Sequence, residues 1–242
     1  MESPHEPRSL FRGRCGAIWG SRETLFLVAG DSRPRRGIEA SEKRSEILPC
    51  WRKLDKCMMI DRLRQETRKE HRKIEAMLDL MSPALDQNRY LKILRNFHAA
   101  MVPLEAALED RCPEPYRPLW QGRQKARRLE ADLAWFGQAA PRNPPADVCL
   151  PPLSSASLWL GAIYVVEGST LGGQVICRHL EKHFGWAEGR GYSYFSGYGE
   201  QTAERWRQVK LALEGDDLDG NLMVKGAHHT FDYIYCCLRV GL

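Results

Sequence analysis

The sequence lacks several features that would assign a function at once. No run of 18 apolar residues occurs among its 242 residues, which argues against a transmembrane helix. None of its eight cysteines forms a Cys-x-x-Cys pair, and no Cys/His spacing matches a zinc site. The glycine fingerprints of flavin and nicotinamide binding are also absent. We therefore expect a soluble, cytoplasmic protein with free thiols and no membrane association.

Charge is unevenly distributed along the chain. Residues 1–57 contain 12 Lys/Arg and 8 Asp/Glu, a net charge of +4, whereas residues 58–242 contain 24 and 23, a net charge of +1. The larger part of the chain is nearly neutral, so the net charge gives no support for nucleic-acid binding.

The same division predicts the domain organisation. Residues 1–57 are rich in Arg, Ser, Gly and Pro without a sustained hydrophobic period, which predicts a disordered N-terminal extension. An alternative is that translation begins at Met58 or Met59 and that this segment is an over-extended start. Residues 58–242 are predicted to form one domain.

Hydrophobic periodicity beyond residue 58 is close to 3.6, which predicts an all-α fold without a sheet. The predicted helices are 61–78, 87–110, 119–136, one long helix from about 154 to 184, 202–213 and about 218–238. Four basic residues of the 119–136 segment are interpreted as a solvated face: Arg123, Lys125, Arg127 and Arg128.

The long helix contains an unusual concentration of glycine. Gly168, Gly172 and Gly173 lie within six positions, and each glycine in a helix interior costs roughly 1 kcal/mol relative to alanine. Glycine permits a kink and a close approach of the backbone to a neighbouring surface. The pattern fits tight helix–helix packing or a helix laid across a planar ligand.

One histidine interrupts the apolar face of the first predicted helix. His71 lies on the same face as Leu63, Thr67 and Ile74, and Glu75 is four residues further on. A buried core histidine is the simpler interpretation. A carboxylate that orients an imidazole is, however, typical of metal-ligating histidines. His98 has no carboxylate at that spacing and is predicted to lie in the core.

Two segments resemble the heme oxygenase family, in particular the bacterial branch found beside bacteriophytochromes. Residues 63–71 (LRQETRKEH) are similar to the family's proximal-histidine helix, and residues 164–173 (YVVEGSTLGG) to its distal helix. The resemblance covers about 60–242. It implies a heme oxygenase-like helical bundle with a glycine-kinked distal helix.

The resemblance also implies roles for individual residues. His71 would be the axial ligand of heme b iron, and Glu75 would hold the other ring nitrogen. Arg64 would meet a heme propionate. The implied remainder of the heme site is Tyr164 and Tyr198 on the propionate side, with Gly168, Gly172 and Gly173 against the heme face.

The catalytic positions implied by the resemblance are Gly168, Ser169 and Gly172 on the distal side. The animal branch has an aspartate where this chain has Ser169, and that aspartate organises water around bound O2. The bacterial branch shares the serine. Ser169 has a hydroxyl that holds water but no charge, so the serine does not imply loss of activity but leaves open which groups order the proton-delivering water.

The implied function is oxidative opening of heme to biliverdin, carbon monoxide and ferrous iron, with heme as both substrate and cofactor. O2 and electrons are required, and a ferredoxin or a flavoprotein reductase would supply the electrons. The basic 119–136 segment would dock this donor, and a bacteriophytochrome would accept biliverdin. The alternatives are a non-catalytic heme or bilin carrier or sensor on the same fold, a non-heme helical enzyme of the thiamine-degrading type, and a helical interaction protein.

Overall fold

The computed structural model describes residues 59–141, 148–186 and 189–242. Within these ranges all regular structure is helical, which confirms the all-α prediction. The predicted extension, residues 1–57, lies outside the described residues. The helices are α1 (including 59–66), α2 (Arg68–Leu78), α3 (Gln87–Asp110), α4 (Arg117–Trp120), α5 (Ala126–Trp135), α6 (Ala156–Gly168), α7 (Gly173–Phe184), α8 (Thr202–Ala212) and α9 (Gly220–Leu238).

Side-chain acceptors mark where several helices begin. Asp86 accepts from the Arg89 N–H at 2.8 Å at the start of α3. Asp219 accepts from the Asn221 N–H at 2.8 Å at the start of α9. Each acceptor satisfies a backbone donor that has no partner within its own helix. Gly185 ends α7 with a φ of +67°, as its predicted place after the helix requires.

Helix α6 forms the centre of the fold. Every residue from Ser157 to Gly168 is buried, so α6 is apolar on all sides rather than amphipathic. It packs mainly against α9, and α3 packs against both α5 and α9. The segment Ala156–Phe184 is long and apolar enough to cross a membrane, but 78% of its most apolar window is buried inside the protein.

Two glycines allow α6 and α9 to approach closely. A Cβ at Gly161 would overlap the carbonyl oxygen of Met223 on α9, and a Cβ at Gly226 would overlap the carbonyl oxygen of Leu158 on α6. Both obstacles are backbone atoms, which cannot move aside as a flexible side chain can. The helix pair therefore depends on the absence of side chains at these positions.

We expect Gly226→Ala to destabilise the protein by about 1–3 kcal/mol, because the new methyl group would force the α6 and α9 backbones apart. The measurement is the free energy of unfolding in urea. Gly220→Ala is the matched control in the same helix, since a Cβ there meets only the side chains of Met59 and Arg62. Equal losses in the two variants would contradict this account of the α6–α9 contact.

The predicted helix over 119–136 is wrong. The structure has α4 and α5 with an irregular connection, residues 121–125, between them. Glu105 of α3 accepts from the Lys125 N–H at 2.7 Å and the Ala126 N–H at 3.1 Å, which fixes the start of α5. Arg123 and Lys125 are each 1% exposed. The predicted solvated basic face, and the donor-docking surface inferred from it, therefore lose two of their four members.

The predicted single helix from about 154 to 184 is also divided. Helix α6 ends at Gly168 and α7 begins at Gly173. Residues 169–172 form the turn between them. The predicted kink is thus a full interruption of the helix, and residues 168–173 are called the glycine turn below.

Candidate functional site

His71 lies on α2, just after the break that separates it from α1 at Thr67. Its Nδ1 atom is 3.3 Å from Glu75 Oε2, as the four-residue spacing predicts, and its side chain is 20% exposed. Phe231 of α9 packs edge-on against the imidazole with ring centroids 6.0 Å apart. A proton on Nδ1, directed at the carboxylate, leaves the lone pair of the ring on Nε2.

Helix α6 reaches the same region through Tyr164. Burial raises the pKa of the Tyr164 phenol, and the Thr67 hydroxyl and the charge of Arg64 partly oppose this rise. The phenol is therefore neutral and able to donate a hydrogen bond. The Arg64 guanidinium is 49% exposed and lies 3.4 Å from Asp61. The structure thus brings together Arg64 and Tyr164, two of the predicted heme-binding residues.

Two side-chain hydroxyl groups of the glycine turn form hydrogen bonds with carbonyl groups at the end of α6. The Ser169 hydroxyl donates to the Val166 carbonyl at 2.7 Å, and the Thr170 hydroxyl donates to the Glu167 carbonyl at 2.7 Å. These bonds satisfy carbonyl groups that have no partner within α6. Ser169 remains exposed, whereas Gly168 and Gly172 on either side of it are buried. The glycine turn therefore exposes the Ser169 side chain, while the backbone at Gly168 and Gly172 is buried.

Gly173 is explained by packing within the protein. A Cβ at this position would overlap the carbonyl oxygen of Phe195, so the loop that contains Phe195 excludes any side chain at position 173. The tight-packing interpretation thus holds for this glycine, and a contact inside the protein accounts for it without a bound ligand.

A buried charge cluster lies directly behind the glycine turn. Glu167 Oε1 accepts from Lys125 Nζ at 3.0 Å and from the Tyr198 hydroxyl at 2.8 Å. Glu167 Oε2 pairs with Arg123, and all three charged side chains are at most 2% exposed. Burial alone would raise the pKa of Glu167, but the charges of Lys125 and Arg123 outweigh it and lower the pKa. The carboxylate is therefore held ionised. We call these four residues the Glu167 cluster.

The hydroxyl group of Tyr198, which the resemblance places on the propionate side, belongs to the Glu167 cluster. That hydroxyl donates to Glu167, and burial together with the Glu167 charge raises the pKa of Tyr198 far above its usual value. The hydroxyl is committed to a buried carboxylate. The heme-binding set proposed below therefore omits Tyr198.

The remaining histidines of interest serve other contacts. His98 is buried, as predicted, and its Nε2 atom is 3.4 Å from Glu130 Oε1. His183 Nε2 is 2.7 Å from the Leu85 carbonyl. No group of three or more His, Cys, Asp or Glu side chains that could hold a metal ion occurs in the described part of the chain.

Comparisons with known proteins agree on one family. Residues 58–238 match the family model described as heme oxygenase. A heme oxygenase from Xanthomonas campestris pv. campestris (strain 8004) is 32% identical over 161 residues, 64% of this chain and 91% of the relative. The NO- and CO-bound heme oxygenase from Neisseria meningitidis has a similar fold, with a TM-score of 0.63 and 19% identity. That match covers 75% of this chain and 90% of the Neisseria chain.

Proposed function

Since this chain belongs to the heme oxygenase family and is an enzyme that opens heme, we propose that His71 supplies the axial ligand of the heme iron. The observation that carries this assignment is the 3.3 Å contact between His71 Nδ1 and Glu75 Oε2. Such a carboxylate fixes the ring orientation and makes the opposite nitrogen a better ligand. A neutral imidazole bound through Nε2 is a common protein ligand of heme iron.

The distal side is assigned to the glycine turn. Thr67, directly before α2, influences the pKa of the Tyr164 phenol on α6, so we place the start of α2 beside this part of α6. His71 follows Thr67, and Gly168 follows Tyr164, by four residues each, which is about one helical turn or ~5.4 Å along each helix. We place heme between the His71 side of α2 and the glycine turn, with Gly168 and Gly172 against the heme face.

The propionates are assigned to the entrance formed by Arg64 and Tyr164. Arg64 has a half-exposed guanidinium, which suits pairing with a carboxylate at the protein surface. Tyr164 is neutral because burial raises its pKa, so its hydroxyl supplies a second donor.

These positions give heme and each of the proposed site residues a separate role in the reaction. Bound heme supplies the oxygen activation and also the ring carbon that is attacked. His71 holds the iron from the proximal side, and Ser169 holds water on the distal side. Gly168 and Gly172, which have no side chains, would let the backbone of the glycine turn approach the heme face closely. The products of this scheme are biliverdin, carbon monoxide and ferrous iron.

External electrons are part of the proposal. A ferredoxin or a flavoprotein reductase would supply them in the cytoplasm, and a bacteriophytochrome would accept the biliverdin. The support is the family alone, because two of the four side chains of the predicted docking surface are buried.

The decisive experiment adds hemin to the purified protein and supplies ascorbate or a ferredoxin system in air. We expect the Soret band to disappear while a biliverdin band grows. A stable Soret band, with a donor shown to reduce the heme, would instead indicate a non-catalytic carrier. Failure to form a heme complex would refute the assignment.

We expect deletion of residues 1–57 to leave folding and heme binding unchanged. The family match begins at residue 58, so the residues that form the heme site all remain. The measurements are the thermal unfolding midpoint and the heme titration of the truncated and full chains. A truncated chain that is insoluble or does not bind heme would show that the segment belongs to the domain.

A further inference from the structure

One backbone carbonyl joins the Glu167 cluster to the glycine turn. The Val166 carbonyl oxygen accepts from Lys125 Nζ at 2.9 Å and from the Ser169 hydroxyl at 2.7 Å. Lys125 comes from the connection between α4 and α5, whereas Ser169 directly follows the last residue of α6. A buried ammonium group and the exposed distal serine thus share one acceptor.

Stability alone is a weak explanation for this lysine. Lysine is almost never fully buried, and a buried ion pair is often no more stabilising than apolar side chains of the same volume. Lys125 is 1% exposed. The Glu167 carboxylate would also keep a charged partner without it, because Arg123 pairs with the other oxygen.

The Val166 carbonyl determines the direction of the Ser169 hydroxyl group. Its hydroxyl hydrogen is donated to Val166, so the oxygen faces its environment as an acceptor with lone pairs. Removing the ammonium group would free a lone pair of the Val166 carbonyl and alter the direction of the serine hydroxyl.

We propose that Lys125 is a positioning residue for heme opening, which acts through the Val166 carbonyl to orient the Ser169 hydroxyl and the water it holds. Glu167 and Tyr198 hold the ammonium group in place. The inference rests on the proposed function, because Ser169 matters only if the glycine turn faces heme. It adds Lys125 to the groups that would order water on the distal side.

A double-mutant cycle of Lys125→Met and Ser169→Ala tests this coupling. We expect each single variant to lower turnover about tenfold, a change of ~1.4 kcal/mol in the activation barrier. Each should also shift the spectral midpoint, which is the pH at which the absorption spectrum of the ferric heme complex is halfway through its pH-dependent change. The double variant should resemble Ser169→Ala, because the lysine acts through the serine. Effects that multiply, or a Lys125→Met protein with wild-type turnover and midpoint, would overturn the proposal.

Tyr233→Phe is the matched control for the loss of a buried hydrogen bond. The Tyr233 hydroxyl donates to the Ala100 carbonyl at 2.9 Å on the α3–α9 side of the fold. This variant should keep the wild-type spectral midpoint even if its unfolding temperature falls. A midpoint that moves as far as in Lys125→Met would show that loss of stability alone produces the effect, and would overturn the proposal.

Tyr198→Phe provides a second route if Lys125→Met does not fold. It removes the hydroxyl bond to Glu167 Oε1, the oxygen that also holds Lys125, and a longer contact of 3.3 Å with the Arg123 carbonyl. A smaller midpoint shift that disappears in the Ser169→Ala background supports the proposal, and an unchanged midpoint overturns it. Wild-type protein that fails to degrade heme would refute the proposed function itself, an outcome distinct from wild-type activity that Lys125 does not influence.

Discussion

Replacing His71 with alanine is expected to abolish the axial-ligand spectrum of the heme complex and to lower turnover by at least about 100-fold. The imidazole is the proposed axial ligand, and its Nδ1 atom lies 3.3 Å from the Glu75 carboxylate. The loss should exceed the 10- to 100-fold effect typical of removing a supporting partner, because the ligand itself is removed. The measurement is the ferric and ferrous-CO spectrum, followed by turnover with ascorbate.

Three companion variants make this result specific. Added imidazole should restore the ligand spectrum of His71→Ala, since the small molecule can occupy the vacated space. Glu75→Gln should weaken heme affinity by about 10- to 100-fold while keeping the histidine ligand. His179→Ala, which changes a histidine of α7, should retain the wild-type spectrum. An unchanged spectrum in His71→Ala would show that another group binds the iron.

Local sequence signals predicted most of the fold. Helix α3 has its predicted bounds because Asp86 supplies the cap and the apolar period continues to Asp110. The contact between His71 and Glu75 could also be predicted from the sequence, because side chains four residues apart on a helix are neighbours independently of the tertiary structure. Features with a local cause could therefore be read from the sequence.

The prediction of one helix over 119–136 was wrong because the contacts that interrupt this helix come from residues distant in sequence. Arg123 and Lys125 have good helix propensity and interrupt no apolar period, so they looked like a solvated face. Their partner Glu167 is more than 40 residues away in sequence, so the 3.0 Å contact between Lys125 Nζ and Glu167 Oε1 forms only in the folded chain. Gly122, with a φ of +69°, was the local sign that the helix stops.

A second signal could have indicated the Glu167 cluster. Glu167 is the only charged residue of the apolar helix α6, and a charge in such a place requires partners that neutralise it. The glycines were informative but ambiguous. Gly161, Gly173 and Gly226 all serve contacts inside the protein, so glycine spacing alone could not separate packing from ligand approach.

Glu167→Ala is expected to destabilise the protein by about 3–5 kcal/mol at neutral pH, the usual cost of removing one partner from a buried ion pair. The variant would leave two buried cations, Arg123 and Lys125, without their carboxylate. The measurement is urea unfolding of the wild type and the variant. Glu204→Ala is the control, because Glu204 pairs with Arg207 at the surface and such pairs contribute at most about 1 kcal/mol.

The pH dependence of this loss follows from the lowered pKa of Glu167. Burial opposes ionisation, but Lys125 and Arg123 lower the pKa of Glu167 below the ordinary value of 4.5 expected in the unfolded chain. The stabilisation is therefore fully present above about pH 4.5 and is lost as the pH falls through the folded-state pKa, because the unfolded chain then binds the proton more readily. Wild type and Glu167→Ala should accordingly differ most at neutral pH and converge in acid. A difference in stability that stayed constant down to pH 3 would show that Glu167 contributes through packing and not through its charge.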